Sequence, residues 1–185
     1  MENLQLVFSE IFLSLSIMFL LILGVFKNNS SKLIHNISLI ILLVTAVITF
    51  NETISISETK LFNNSIIIDY LSSFMKIITL LAAFLVLIIS SNYLKTLKIF
   101  KIEYPILILS SVLGMMIMIS SNDLIVFYMG LELQSLALYV LATFNRDQIK
   151  SSEAGLKYFV LSALSSGLLL YGCSLIYGFT GSTNF

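Results

Sequence analysis

Six stretches of this chain are apolar over a length that crosses a bilayer: Leu4–Phe26, Leu33–Phe50, Tyr70–Asn92, Tyr104–Ser120, Leu124–Phe144 and Ala154–Tyr177. A helix of about 20 such residues spans the roughly 30 Å of hydrocarbon. In lipid every backbone N–H and C=O must be satisfied within the protein, which leaves helices as the form for segments this long. The sequence therefore predicts an all-α integral membrane fold of about six transmembrane helices. Composition agrees, with 58% hydrophobic and 11% charged residues, where soluble domains carry about a quarter charged.

The basic and acidic residues balance at ten each, which argues against a nucleic-acid partner. Cys173 lies alone in an apolar run and reads as a small packing residue. No phosphate loop, Cys/His metal spacing or nucleophile elbow is present. The opening MENLQLVFSEIF carries acids where a targeting peptide would carry Lys or Arg, so the first apolar stretch is expected to be a retained helix. Pro105 suits the first turn of the fourth helix and Asp123 the cap of the fifth. The short turn between those two helices predicts an antiparallel hairpin.

The connections after helices one, three and five hold Lys27, Lys32, Lys95, Lys98, Lys101, Arg146 and Lys150. The opposite connections hold only Lys60 among basic residues, with Glu2, Glu52, Glu58, Asp69 and Asp123. By the positive-inside rule both termini lie outside and the basic loops inside. Residues 51–69 form the external loop, with a short strand pair expected around Ile54–Ile56 and Ile66–Ile68. A mitochondrial inner membrane, with its basic loops on the matrix side, is the favoured location, and a bacterial plasma membrane the alternative.

Glu132 falls in the middle of the fifth span, LIVFYMGLELQSLALYVLATF. A carboxylate at that depth costs about 2.5–3.5 kcal/mol on insertion scales, so it is the leading functional candidate. Tyr128, Ser135 and Tyr139 share its helical face and make a polar stripe. Lys157 of the sixth helix is its expected partner, offset by about 9 Å in depth on straight helices and reached through a bridging water. Lys76 is expected to snorkel to the surface and joins Tyr128 and Tyr139 as a secondary proton-translocation candidate. Glu10 is expected near the headgroups, Glu153 at the favourable start of helix six, and His35 at a wet interface. Ser110 with Gly114, Ser162 with Ser166, and Ala163 with Gly167 offer small-residue packing faces.

LELQSLALYVLATFNRD followed by EAGLKYFVLSALSSGLLLYGCSLIYGFTGST strongly resembles the subunit 2 (bacterial subunit N) family of respiratory complex I, NADH:quinone oxidoreductase. The likeness is dense from Asn122 to Thr183, and FSEIFL and SSFMKIITLLAAFLVLIIS extend it upstream. It implies an antiporter-like, proton-pumping subunit of the membrane arm, in which Glu132 and Lys157 match key charged residues of the proton route. Residues 1–103 would be three leading helices and residues 104–185 the first helices of the antiporter-like repeat. Flavin, iron–sulfur clusters and the NADH site would belong to other subunits, so no cofactor is expected here. Family members have about fourteen helices in two inverted repeats after the leading three. The expectation is thus a split subunit completed by a second chain, alongside other membrane-arm subunits and lipid. A cation/proton antiporter subunit and a structural, non-pumping subunit are the alternatives.

Overall fold

The computed structural model describes residues 6–26, 31–54, 59–97 and 99–185. Among them the elements run α1 (Phe8–Phe26), α2 (Ser31–Ile54), β1 (Thr59–Leu61), β2 (Ile66–Ile68), α3 (Tyr70–Thr96), α4 (Glu103–Ser120), α5 (Leu124–Ala142) and α6 (Ile149–Thr180). All six helices are long and apolar enough to cross a membrane, as the sequence predicts. Two of them begin where a carboxylate is available. Asp69 caps α3 in a reciprocal box with Ser72, accepting its N–H at 2.7 Å. Asp123 caps α5, accepting from Ile125 at 2.8 Å and Val126 at 3.4 Å, so the donors at these helix starts are satisfied.

α1 to α4 enclose the apolar core, in which Leu13, Leu20, Leu42, Leu87, Leu109 and Met116 are fully buried. α5 attaches to this body along α4, and α6 attaches to α5. The α4–α5 hairpin is close because two glycines meet. A Cβ on Gly114 would stand 2.6 Å from the Gln134 nitrogen and 2.7 Å from the Gly130 oxygen. A Cβ on Gly130 would stand 2.9 Å from both the Gly114 oxygen and the Met118 nitrogen. The sequence singles out Gly114 and misses Gly130.

Chain alternation gathers the ends into two groups. The hairpin end holds the start of α1, the end of α2, the β1–β2 pair, the α4–α5 turn and the C-terminal residues. Here Asn122 donates to the Ser65 carbonyl at 2.8 Å, Leu124 to Thr183 at 2.9 Å and Phe185 to Asn122 at 3.2 Å. Of the predicted strand pair, Ile66–Ile68 is correct, but its partner is Thr59–Leu61 in the register Leu61↔Ile66. Ile54 instead closes α2, which runs a turn further than its apolar stretch; residues 55–56 lie outside the described residues. The other end collects Lys32, Lys95, Lys101, Arg146 and Lys150, while Lys27, Lys98, Glu2 and Glu58 lie outside the described residues. His35 is not at a wet interface: it is buried, edge-on to Phe100 at 5.6 Å between ring centres. Phe100, from the segment before α4, packs against it.

Candidate functional site

Glu132 lies eight residues into α5 and ten before its end, about 12 and 15 Å from the two termini at 1.5 Å per residue. The side chain is half-buried, and its Oε2 has no hydrogen-bond partner among the described residues. An unsatisfied buried carboxylate oxygen costs more than an ordinary lost hydrogen bond, so native proteins keep few of them. The neighbours in the stripe do not satisfy it. Ser135 Oγ donates to the Glu132 main-chain carbonyl at 3.0 Å. Tyr139 is buried, packed edge-on against Tyr158 at 4.9 Å and Phe159 at 5.7 Å. Tyr128 is half-buried one turn before Glu132.

Two contacts fix how α6 lies against α5. Gly155 is buried against the Thr143 side chain, and Tyr158 and Phe159 meet Tyr139. Both give the same antiparallel register. In that register Glu132 stands level with Ser166, about one turn from Ser162. At about 100° per residue these two serines share the face of α6 that carries Gly155, and both are half-buried. Glu132 and these serines thus lie on the facing sides of α5 and α6, and the Ser166 hydroxyl donates to the Ala163 carbonyl at 3.3 Å.

Lys157 is not on that face. It follows Gly155 by two residues, about 200° round the helix, and lies about 13 Å along the axis from the level of Glu132. Its Nζ bonds Glu153 Oε1 at 2.6 Å, with the two side chains 68% and 57% exposed. The expected Glu132–Lys157 pairing is thus corrected: depth separates the two, as the sequence suggested, and helical phase turns them apart. Glu153 serves as the partner of Lys157.

Lys76 and Glu10 are a second correction. Neither reaches the surface; Lys76 Nζ meets Glu10 Oε1 at 2.5 Å, with side chains 3% and 8% exposed. Lys76 belongs to the core-facing row of α3, in line with Ser72, Ser73, Leu80 and Leu87, so its stem enters the bundle rather than running along it. Ser9 Oγ lies 2.9 Å from Glu10 Oε2 and 3.0 Å from Glu52 Oε2, and the Ser9 N–H donates to Glu52 Oε1 at 3.2 Å. Sequence reasoning took Glu52 for a loop acid, because it ends α2 where the polar composition begins.

At the hairpin end, Asp123 also accepts a hydrogen bond from the Thr183 hydroxyl. Burial alone would raise this carboxyl; the Thr183 hydroxyl and the N–H groups of Ile125 and Val126 outweigh it and hold it below its ordinary 3.8. A depressed folded value means that the stabilisation is complete above the unfolded value and fades as pH falls through the lower folded one. Asp123→Ala is expected to cost about 1 kcal/mol in thermal unfolding at neutral pH, and less when the measurement is repeated at strongly acidic pH.

Residues 121–185 match the family model described as NADH:quinone oxidoreductase/Mrp antiporter, TM. Over its whole length the chain is 68% identical to NADH-quinone oxidoreductase subunit N of Pelagibacter ubique and, likewise, 50% identical to that of Maricaulis maris. It spans 39% and 38% of those two curated relatives. Among solved structures, respiratory complex I from Thermus thermophilus matches 95% of this chain and 38% of the other, with a TM-score of 0.80 and 26% identity. The Mrp complex from Dietzia shares the fold at a TM-score of 0.74 and 22% identity, over 98% of this chain and 36% of the other. The relatives are bacterial, which moves the balance from the mitochondrial membrane favoured by the sequence to a bacterial plasma membrane.

Proposed function

We propose, for a chain that belongs to the subunit N family of NADH-quinone oxidoreductases, that it forms the N-terminal part of an antiporter-like subunit which moves protons in the membrane arm of that complex. The observation that carries this is the Oε2 of Glu132, unpaired among the described residues at mid-membrane, level with Ser166 and about one turn from Ser162. In hydrocarbon the neutral form of a carboxyl needs no counter-charge, whereas the ionised form does. The two hydroxyls both donate and accept, and so can hold water or relay a proton beside it.

Lys157 has a different part in this reading. It lies on the exposed face of α6, most of whose surface this chain leaves uncovered, so it meets the remainder of the proton route rather than Glu132. That remainder belongs to the part of the subunit that this sequence, spanning 39% of its Pelagibacter ubique relative, does not include. Lys76 acts elsewhere, and Tyr128 and Tyr139 line the α5 face without being donors to the Glu132 carboxylate. Partners are the other membrane-arm subunits and lipid, with no nucleic acid and no redox cofactor held by this chain. The basic end faces the cytoplasm of a bacterial plasma membrane and the hairpin end faces outward.

Identity to subunit N favours this reading over a free-standing cation/proton antiporter, whose likeness is of fold alone. Glu132→Gln keeps the shape and removes the titratable proton. In the assembled complex it is expected to slow proton-coupled turnover by about 100-fold or more, within the range of a lost proton-transfer group, with assembly unchanged.

A further inference from the structure

The polar island at the hairpin end brings together three helices: Ser9 and Glu10 from α1, Glu52 from α2 and Lys76 from α3. Its hydrogen-bond accounting is specific. Lys76 donates to Glu10 Oε1, and Ser9 Oγ lies within hydrogen-bond distance of one oxygen from each carboxyl. A serine hydroxyl has one proton to give. It can donate fully to one carboxylate, and its second contact becomes a hydrogen bond when the other carboxyl carries a proton and donates to the serine oxygen.

We infer that Glu52, Ser9 and Glu10 form a proton-binding site near the hairpin end, with Lys76 as its fixed counter-charge. Loaded, the chain runs in one direction: Glu52 O–H donates to Ser9 Oγ, Ser9 O–H donates to Glu10 Oε2, and Lys76 N–H donates to Glu10 Oε1. The other Glu52 oxygen accepts the Ser9 main-chain N–H, one of the orphan donors at the start of α1. Both contacts of the Ser9 hydroxyl are then hydrogen bonds. Unloaded, one carboxylate oxygen from Glu10 and one from Glu52 both face the single Ser9 hydroxyl proton, which satisfies only one of them.

A pocket of about 280 Å³ borders Glu10, lined mainly by apolar side chains, Val7, Ile11 and Ile66 and, from α4, Leu113 and Ile117. α4 and β2 bring no titratable group to this lining.

The test is infrared difference spectroscopy of the whole membrane complex at neutral pH, reading the carbonyl stretch of protonated carboxyl groups. The site predicts one such band in the parent that is lost in Glu52→Gln, whose amide N–H₂ keeps the bond to Ser9 and so the fold. In Ser9→Ala the same band is expected to persist and move to higher frequency, because its O–H has lost its acceptor. A parent spectrum unchanged by Glu52→Gln, or a band indifferent to Ser9→Ala, would overturn the assignment. The measurement reads a bound proton rather than pumping, so it stands or falls separately from the role given to Glu132.

Discussion

Replacing Lys76 with Met is expected to destabilise the chain by about 3–5 kcal/mol, the range found when one partner of a buried ion pair is removed. The reason is what stays behind. Glu10 is nearly inaccessible and bonded to the Lys76 ammonium and Ser9, so the single substitution leaves a carboxylate with its counter-charge gone in a membrane bundle. Packing is not the cause, since Met fills most of the lysine stem's volume. The double variant Lys76→Met with Glu10→Gln removes both charges and is expected to recover most of the loss, because a neutral pair of similar volume is often as stable as a buried ion pair. Unfolding of the detergent-solubilised protein, read by helical signal against denaturant, measures both. Equal losses in the single and double variants would show that the charge pairing is not what Lys76 supplies.

Gly114→Val is expected to cost about 3 kcal/mol, the upper end for overpacking, and to open the α4–α5 hairpin. The new Cβ would meet main-chain atoms of Gln134 and Gly130 at 2.6 and 2.7 Å, and main chain cannot swing aside as a side chain can. Gly130→Val meets the same obstacle from the opposite helix. Gly167→Val is the matched control: its Cβ would find nothing within 4 Å, so in this chain alone it is expected to change stability by less than about 0.5 kcal/mol. Thermal unfolding of the three variants side by side separates close helix approach from a general intolerance of valine. Because Glu132 rides on α5, Gly114→Val is also expected to displace it.

The helices were legible from the sequence because hydrocarbon imposes a length and a composition that few other folds share. The cap at Asp123 and the α4–α5 hairpin follow from local chemistry and are found as read, whereas the Asp69 cap of α3 is seen only in the structure. Pairings between helices were not legible, since they depend on phase and register. Lys157 illustrates this: its depth could be estimated from residue counts, but not that it turns away from the face carrying Gly155, Ser162 and Ser166. Lys76 was a missed chance. Its four-residue spacing with Ser72 and Leu80 puts it on the core-facing row of α3, and that spacing is visible in the sequence. Glu10 and Glu52 gave no such warning, because each lies at a helix end where a wet carboxylate is the ordinary case. Strand β1 was misplaced because the isoleucines before it alternate like a strand, and Ile54 is taken into the last turn of α2.

The central claim is that Glu132 carries a proton during turnover, and proton translocation in sealed vesicles tests it most directly. Vesicles bearing the assembled complex with Glu132→Gln would be given NADH and quinone, with protons moved and NADH oxidised recorded together. Normal assembly is expected, with proton-coupled turnover reduced by about 100-fold or more. Proton movement and NADH oxidation both equal to the parent's would contradict it.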